Sequence, residues 1–520
     1  MHLRLDRKIF MPPPDQLPRL AVINEAIAAL DRRRAAAILR QDLEAGPASG
    51  DVWQDVSKVA ARIGEHRLSQ EAARRYAAAA PTDMDHVFFY ALVLSRSGQL
   101  AEALQQLDRL PAAAQAHPAI LHFRAMTATQ MGNFTEAEQL LEKALAVSPA
   151  PVQWLALSVA KKFRPGDPHI AQMEGILPRV GRAPPAVQAQ LYYSLGKAYD
   201  DVKDTQKAAS AYAMGAQLMR NAATRPDARA WDRFASHLIA GYTCDNMAKL
   251  TPSGATSDRV IFVTGFPRSG TTLLEQILTS HSQVKDGAEL NLVSVALMPT
   301  GDSQFDASHT YPGGHARETA VSGNFAFEDA MAYQTRSGEA DPWGEIGRDY
   351  LHMAEERFGP EGRVVDKTLN LGSFMGLLLH TLPNAKILRL RRNPEDCALS
   401  NYRMYSQLGT LPWTNSATDI ADFFRTEERL YAHWAEVFPG RIFDVPYEDL
   451  VSDPQTWIRR ILDHAGLPEE PQVFEPHKST RAVTTASMAQ VRSPISTSRI
   501  GAAEAYKDFT EEFRRAYYAK

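Results

Sequence analysis

Residues 260–289 read VIFVTGFPRSGTTLLEQILTSHSQVKDGAE, and the loop at their centre, Gly265-Phe-Pro-Arg-Ser-Gly-Thr-Thr272, decides the fold. The apolar run Val260 to Val263 stops at Gly265, and Thr271-Thr272 open an amphipathic stretch with Leu273, Leu274, Ile277 and Leu278 on one face. That order is strand, loop, helix. Glycines at both ends of the loop let the backbone turn its N–H groups inward, and the helix N-terminus behind them adds partial positive charge. The stretch therefore predicts a phosphate cradle. The bland alternative is a glycine-containing turn between a strand and a helix.

The spacing of Gly265, Gly270 and Thr271-Thr272 is that of a P-loop whose usual lysine has become Thr271. In a triphosphatase that lysine reaches the β- and γ-phosphates, so its absence weighs against triphosphate chemistry and against a nucleotide kinase. The cation sits inside the loop instead, as Arg268, whose planar fork of donors suits phosphate or sulfate oxygens.

Outward from this loop, the chain after residue 258 alternates short β-type runs with helical stretches: Val260–Val263, Arg363–Val365, Lys386–Leu390 and Ile442–Val445. Alternation of this kind implies a mostly parallel sheet covered by helices, with ligands at the carboxyl ends of the strands. Three of those ends carry chemistry. Lys386–Leu390 is followed by Arg391-Arg392 and a helix opened by Pro394, with Ser400 two turns along it, a cation and a hydroxyl able to meet a second phosphate. Arg363–Val365 delivers Lys367, either a mobile charge for a transferring group or a surface lysine paired with Asp366. Ile442–Val445 leads into the polar cluster that begins at Tyr447.

Before the run Leu250-Thr-Pro-Ser-Gly-Ala-Thr-Ser-Asp258, which reads as a linker, the pattern is different. Residues 20 to 245 are rich in Ala, Leu, Gln and Arg and carry helical periodicity. Ala91 and Ala103, Ala125 and Ala137, and Gly196 and Ala208 each lie 12 apart, and Ala103 to Ala137 is a step of 34. That is the tetratricopeptide period, in which small residues mark close helix crossings. Ala60, Ala72 and Ala79 form an earlier copy offset by 31 residues, and Arg164 to Pro185 is proline-rich and expected to be irregular. An array of this kind is a binding surface or a packing scaffold and carries no chemistry of its own.

Size and composition agree with two domains, expected at 1–250 and 251–520. At 44% apolar, 23% charged and a net charge of −4, the chain has no global basic field to recruit nucleic acid or an acidic membrane. Two cysteines, Cys244 and Cys397, argue for a reducing compartment. No apolar run approaches the ~18 residues of a membrane span, and the first residues do not read as a signal peptide, so a cytoplasmic protein is expected.

Together these pieces resemble the sulfotransferases that use 3′-phosphoadenosine-5′-phosphosulfate (PAPS), from about Asp258 onward. FPRSGTT resembles the family's 5′-phosphosulfate loop, which implicates Pro267, Arg268, Ser269, Gly270, Thr271 and Thr272 in holding the co-substrate. Arg391-Arg392 through Ser400 resembles its 3′-phosphate site, and Tyr447-Glu-Asp-Leu-Val a further family segment. An arginine in the loop, with a glutamate 21 residues later, resembles the tyrosylprotein branch. The resemblance makes Glu289 the general base, Arg268 and Lys367 the stabilisers of the bridging oxygen and sulfuryl group, Ser487 a further contact to that group, and Arg499 a co-substrate contact. Ala288 stands where that branch has another acid, and Leu290-Asn291 where it has an arginine, so the acceptor surroundings differ. The whole arrangement resembles the bacterial proteins that join tetratricopeptide repeats to a sulfotransferase domain.

On residue chemistry alone Glu289 is either a base or a solvated loop residue, and His281 is a rival placed at a helix end. The expected fold is a tetratricopeptide-like helical array followed by a P-loop-like α/β sulfotransferase domain with a mostly parallel sheet. The expected activity is transfer of a sulfuryl group to a hydroxyl or phenol, protein tyrosine included, with no metal required. The acceptor is a small molecule or a peptide held with help from the array. The alternative is a catalytically silent, nucleotide-binding scaffold built on the repeats.

Overall fold

The computed structural model describes residues 18–222, 228–287, 289–301, 326–369, 371–406, 411–479, 481–483 and 490–519. Its second half is organised by β1 (Val260–Gly265), buried at every position and apolar on both faces, as a central parallel strand must be. The other strands are β2 (Val284–Asp286), β3 (Arg363–Asp366), β4 (Lys386–Arg391) and β5 (Ile442–Pro446). They stand in the order β2-β3-β1-β4-β5 and every pair is parallel. In register, Phe262 lies opposite Asp366 and Gly265 opposite Leu390, so all the carboxyl ends reach one edge.

Side chains alternate across β1. Ile261 and Val263 join Leu274, Ile277, Val365 and Leu388 under the helices Thr271–Thr279 and Pro454–Ala465. Val260 and Phe262 join Trp343, Tyr350, Ile387 and Trp434 under Pro342–Phe358 and Ala417–Val437. Each large apolar side chain buried in this way contributes about 1.5–3 kcal/mol. The helix after the loop is nine residues long, Thr271–Thr279. His281 ends the turn behind it: Nδ1 accepts from the Gln283 N–H at 3.1 Å and Nε2 donates to the Pro468 carbonyl at 3.0 Å. From there the chain returns to the sheet edge as β2.

The first half is an array of paired helices, among them Met84–Arg96 with Leu100–Asp108, Pro118–Met131 with Phe134–Val147, and Pro185–Asp201 with Thr205–Ala222. Ala60, Ala72, Ala91, Ala103, Ala125, Ala137 and Ala208 are all fully buried where helices cross. A Cβ on Gly196 would stand 2.7 Å from the Tyr212 ring, which is why the repeat needs a glycine there. Ala79 departs from the pattern: it is exposed at the last residue of its helix. A larger correction concerns Arg164 to Pro185, which holds the helix Pro168–Val180. Pro168 occupies its first turn, where no N–H is needed, Asp167 caps it by accepting from the His169 N–H, and Pro178 falls in its last turn.

The helices Ala228–Gly241 and Cys244–Met247 precede the polar run, yet Ala235, Leu238, Tyr242 and Met247 share a core with Val260 and Phe262. The array also touches the second half at the ends of its helices. Arg33 pairs with Asp349, the Gln130 carbonyl accepts from the Val483 N–H at 2.9 Å, and Asp200 meets Arg403 and the Tyr506 hydroxyl. Among the described residues no helix is long and apolar enough to cross a membrane.

Candidate active site

The cradle is built by the backbone of the loop after β1. Gly265, Arg268 and Gly270 all have positive φ, at 145°, 70° and 106°. A Cβ on Gly265 would run into the Leu390 carbonyl oxygen, and one on Gly270 would stand 2.8 Å from the Tyr447 ring. Both glycines are sterically required. Asn401 holds the loop from the helix Pro394–Tyr402, its Nδ2 donating to the Pro267 carbonyl at 2.8 Å. Ser269 is fully buried and its Oγ meets no hydrogen-bond partner among the described residues. A buried hydroxyl left in that state costs about 1–3 kcal/mol. A ligand oxygen in the cradle would remove that cost.

Arginines gather on one side of the loop. Arg268 donates from Nε to Ser400 Oγ at 3.1 Å. Burial, and then the like charges of Arg392, Arg403 and Arg499, push its pKa down to about 10. Arg392 donates to the carbonyls of Arg268 (3.2 Å) and Arg499 (2.6 Å), lies 4.6 Å above the Tyr447 ring, and has Asp396 at 3.6 Å. Its buried Nε meets no partner among the described residues. Asp396 is itself engaged by the N–H groups of Gly501 and Ala503, both at 2.9 Å. Like-charged guanidiniums this close are tolerated where an anion joins them. Arg392→Ala is expected to weaken binding of 3′-phosphoadenosine 5′-phosphate by about 1.5–3 kcal/mol, the scale of a charge-assisted hydrogen bond, measured by calorimetry. Unchanged affinity would remove Arg392 as a phosphate contact.

The second cluster sits at the end of β3. Lys367 is 1% exposed, and its Nζ donates to Glu289 Oε1 at 2.5 Å, with Glu275 Oε2 at 3.8 Å. The alternative of a surface lysine paired with Asp366 is therefore corrected. Asp366 instead accepts from the Tyr350 hydroxyl at 2.7 Å and from Thr368 Oγ1 at 2.6 Å, and burial lifts its pKa to about 6. Burial alone would lower the Lys367 pKa, but the Glu289 and Glu275 carboxylates outweigh it and the net shift is upward. Lys367 is a fixed ammonium.

Glu289 reaches this lysine because its loop is pinned on both sides. A Cβ on Gly287 would run into the Val365 carbonyl, so only glycine lets the chain pass β3 there. Two residues after Glu289, the N–H of Asn291 donates to Thr368 Oγ1 at 3.1 Å, with Asn291 in the left-handed region at φ 53°. Glu289 keeps 28% of its side chain exposed, while Lys367 behind it is closed off. The carboxylate thus faces the accessible side of the pair.

Of the expected residues, Pro267 to Thr272 form the loop and helix start; Arg392 and Ser400 contact Arg268, and the Tyr447 ring lies against Arg392; Glu289 and Lys367 are paired. Arg499 joins through its carbonyl and its charge. Ser487 lies outside the described residues. Sequence reasoning missed Glu275, Arg403 and the Asp366–Thr368 support. A signal existed for Glu275, a carboxylate among buried positions of an amphipathic helix, which has to be paired.

These features define a P-loop-like α/β domain with an unusually cationic loop. The pattern of the sulfotransferase family matches residues 260–471, and that segment of the chain is a sulfotransferase-family domain. Residues 70–144, within the helical repeats, match the family of anaphase-promoting complex, cyclosome, subunit 3. An uncharacterized protein of Aquifex aeolicus (strain VF5) is 30% identical over 357 residues, 68% of this chain and 43% of its own length. A protein-tyrosine sulfotransferase of Drosophila melanogaster is 23% identical over 215 residues, 40% of this chain and 38% of its own length. The chain thus spans less than half of either relative. A solved sulfotransferase domain from the curacin biosynthetic pathway aligns with a TM-score of 0.32 at 20% identity, covering 52% of this chain and 99% of that one.

Proposed function

We propose that this chain moves a sulfuryl group from PAPS to a hydroxyl or phenol, tyrosine side chains included, with Glu289 as general base. The observation that carries the reading is the buried Lys367 joined to a partly exposed Glu289 at the carboxyl edge of the sheet, where the Arg268 loop leaves β1. Bound in the loop, PAPS would supply an activated sulfuryl group on a phosphate leaving group. Pro267 to Thr272 would hold its 5′ end, with the orphaned Ser269 hydroxyl as one donor, and Arg392, Ser400 and Arg499 its 3′-phosphate, beside Tyr447.

The residues then divide the work. Glu289 takes the acceptor's proton as the acceptor oxygen bonds to sulfur and the bridging sulfur–oxygen bond breaks. Arg268 and Lys367 face the charge that gathers on the leaving and transferring oxygens. Ser487 is assigned a contact to the same group by family resemblance. The division at 1–250 and 251–520 belongs to this reading, with the helices Ala228–Gly241 and Cys244–Met247 packing with the second unit. So does a reducing, cytoplasmic setting, which the free Cys244 and Cys397 support. The repeat array adds a surface for a peptide or protein acceptor.

The direct test incubates the chain with sulfur-labelled PAPS and three acceptor classes: acidic tyrosine peptides, simple phenols and sugars. Label is expected on at least one class. Tight binding of PAPS with no acceptor labelled, and slow PAPS hydrolysis unchanged in Glu289→Ala, would overturn the reading in favour of a silent scaffold.

A further inference from the structure

Lys367 has a second carboxylate beside it. Glu275 projects from the helix that follows the cradle loop and, like the lysine, is 1% exposed. A carboxylate so deeply buried is tolerated only against positive partners. Lys367 is one, at 3.8 Å, and Arg481 is another, donating from Nη2 to Glu275 Oε1 at 2.8 Å. Arg481 also donates from Nη1 to Gln276 Oε1 at 3.1 Å and to Thr279 Oγ1 at 3.2 Å, so it grips the helix along a full turn. Charges alternate along the row Glu289, Lys367, Glu275, Arg481.

The far end of that row is fastened to the repeat array. Arg492 donates to the carbonyls of Ser479 and Arg481, and also to the carbonyl of Gln130 at 3.2 Å. Gln130 lies in the last turn of the array helix Pro118–Met131, and its carbonyl accepts the Val483 N–H as well. Met126 of that helix packs on Val483 and Val491. Gly132, just after the helix at φ 85°, leaves room for the guanidinium, since a Cβ there would stand 3.1 Å from Arg492 Nε.

We propose that Glu275 is a positioning residue for Lys367, and that the array keeps Glu275 in place through Arg492 and Arg481. On this view the repeats are a working part of the catalytic unit. Lysine is a point charge on a flexible stem, and one carboxylate leaves it free to swing. With Glu275 neutralised, the ammonium is left to Glu289 alone, which displaces it and ties up the base. Misplacement of a catalytic group by about 1 Å costs roughly 10²-fold in rate. The inference rests on the role given to Lys367 above.

The test uses the full chain, single-turnover sulfuryl transfer, and the Kd for 3′-phosphoadenosine 5′-phosphate. Glu275→Gln is expected to slow transfer by roughly 10–100-fold while the Kd stays within about threefold. Arg492→Ala should slow transfer in the same direction, with Arg492→Lys restoring part of the loss. Because both act through one row of contacts, the double variant should be no slower than Glu275→Gln alone. Met126→Gln, which alters only the array side, is a second probe should Arg492→Ala not fold. Multiplying losses, a normal rate in Glu275→Gln, or a rate and Kd that fall together would each overturn the proposal. If Lys367→Ala transfers normally, the parent reading fails; if Lys367→Ala is inactive but Glu275→Gln is normal, only this inference fails.

Discussion

Lys367→Ala is expected to lower the single-turnover rate of sulfuryl transfer by about 10²–10³-fold, the usual loss on removing one preorganised charge from a transition state, and to leave nucleotide affinity nearly unchanged. The expectation follows from where the ammonium is held. It is 1% exposed, so water does not screen it, and two carboxylates keep it protonated. The proposed nucleotide anchors, Arg268, Arg392 and the loop backbone, belong to other elements, so binding and rate should separate. Deleting the lysine also takes one cation from Glu275, which keeps Arg481, and from the partly exposed Glu289, and so destabilises the fold. Rates are therefore compared at a temperature where circular dichroism shows both proteins folded. A folded Lys367→Ala that transfers at the normal rate would remove the lysine from the chemistry.

Glu289→Gln is expected to cost about 10²–10⁴-fold with an aliphatic hydroxyl acceptor, the range for loss of a general base. The amide keeps the shape and can still accept the Lys367 hydrogen bond, so the loss reports proton transfer rather than a collapsed loop. The deciding measurement is the dependence on acceptor acidity. A strongly acidic phenol is already ionised and needs no base, so its loss should be far smaller than that of an alcohol. Equal losses across acceptors would make Glu289 a structural partner of Lys367 and leave the base unassigned.

Much of this was legible in the chain because it is local. Gly265, Gly270 and Thr271 announce a strand, a turned loop and a helix start within eight residues, and the 34-residue alanine spacing announces stacked helix pairs. Prolines misled the reading of 164–185 because they mark helix starts as well as breaks; Pro168 does the former. The polar run at 250–258 stood out by composition, yet nothing in composition says that Leu238 and Tyr242 before it pack with the sheet.

Outside 164–185, the residues alone determined the main element types, the loop that can cradle an anion, and the cations that accompany it, because helix and strand periodicity, glycine conformation and arginine chemistry act over a few positions. Only the tertiary structure decided how those cations are used. Lys367 could have met its neighbour Asp366; instead parallel pairing carries β3 between β1 and β2, and the ammonium meets Glu289 and Glu275, 78 and 92 positions away in the chain. The link from the array to Arg481 is of the same kind, since Gln130 and Arg492 meet across 362 residues. Desolvation and charge pairing depend on what folding brings together, and local sequence carries no record of it.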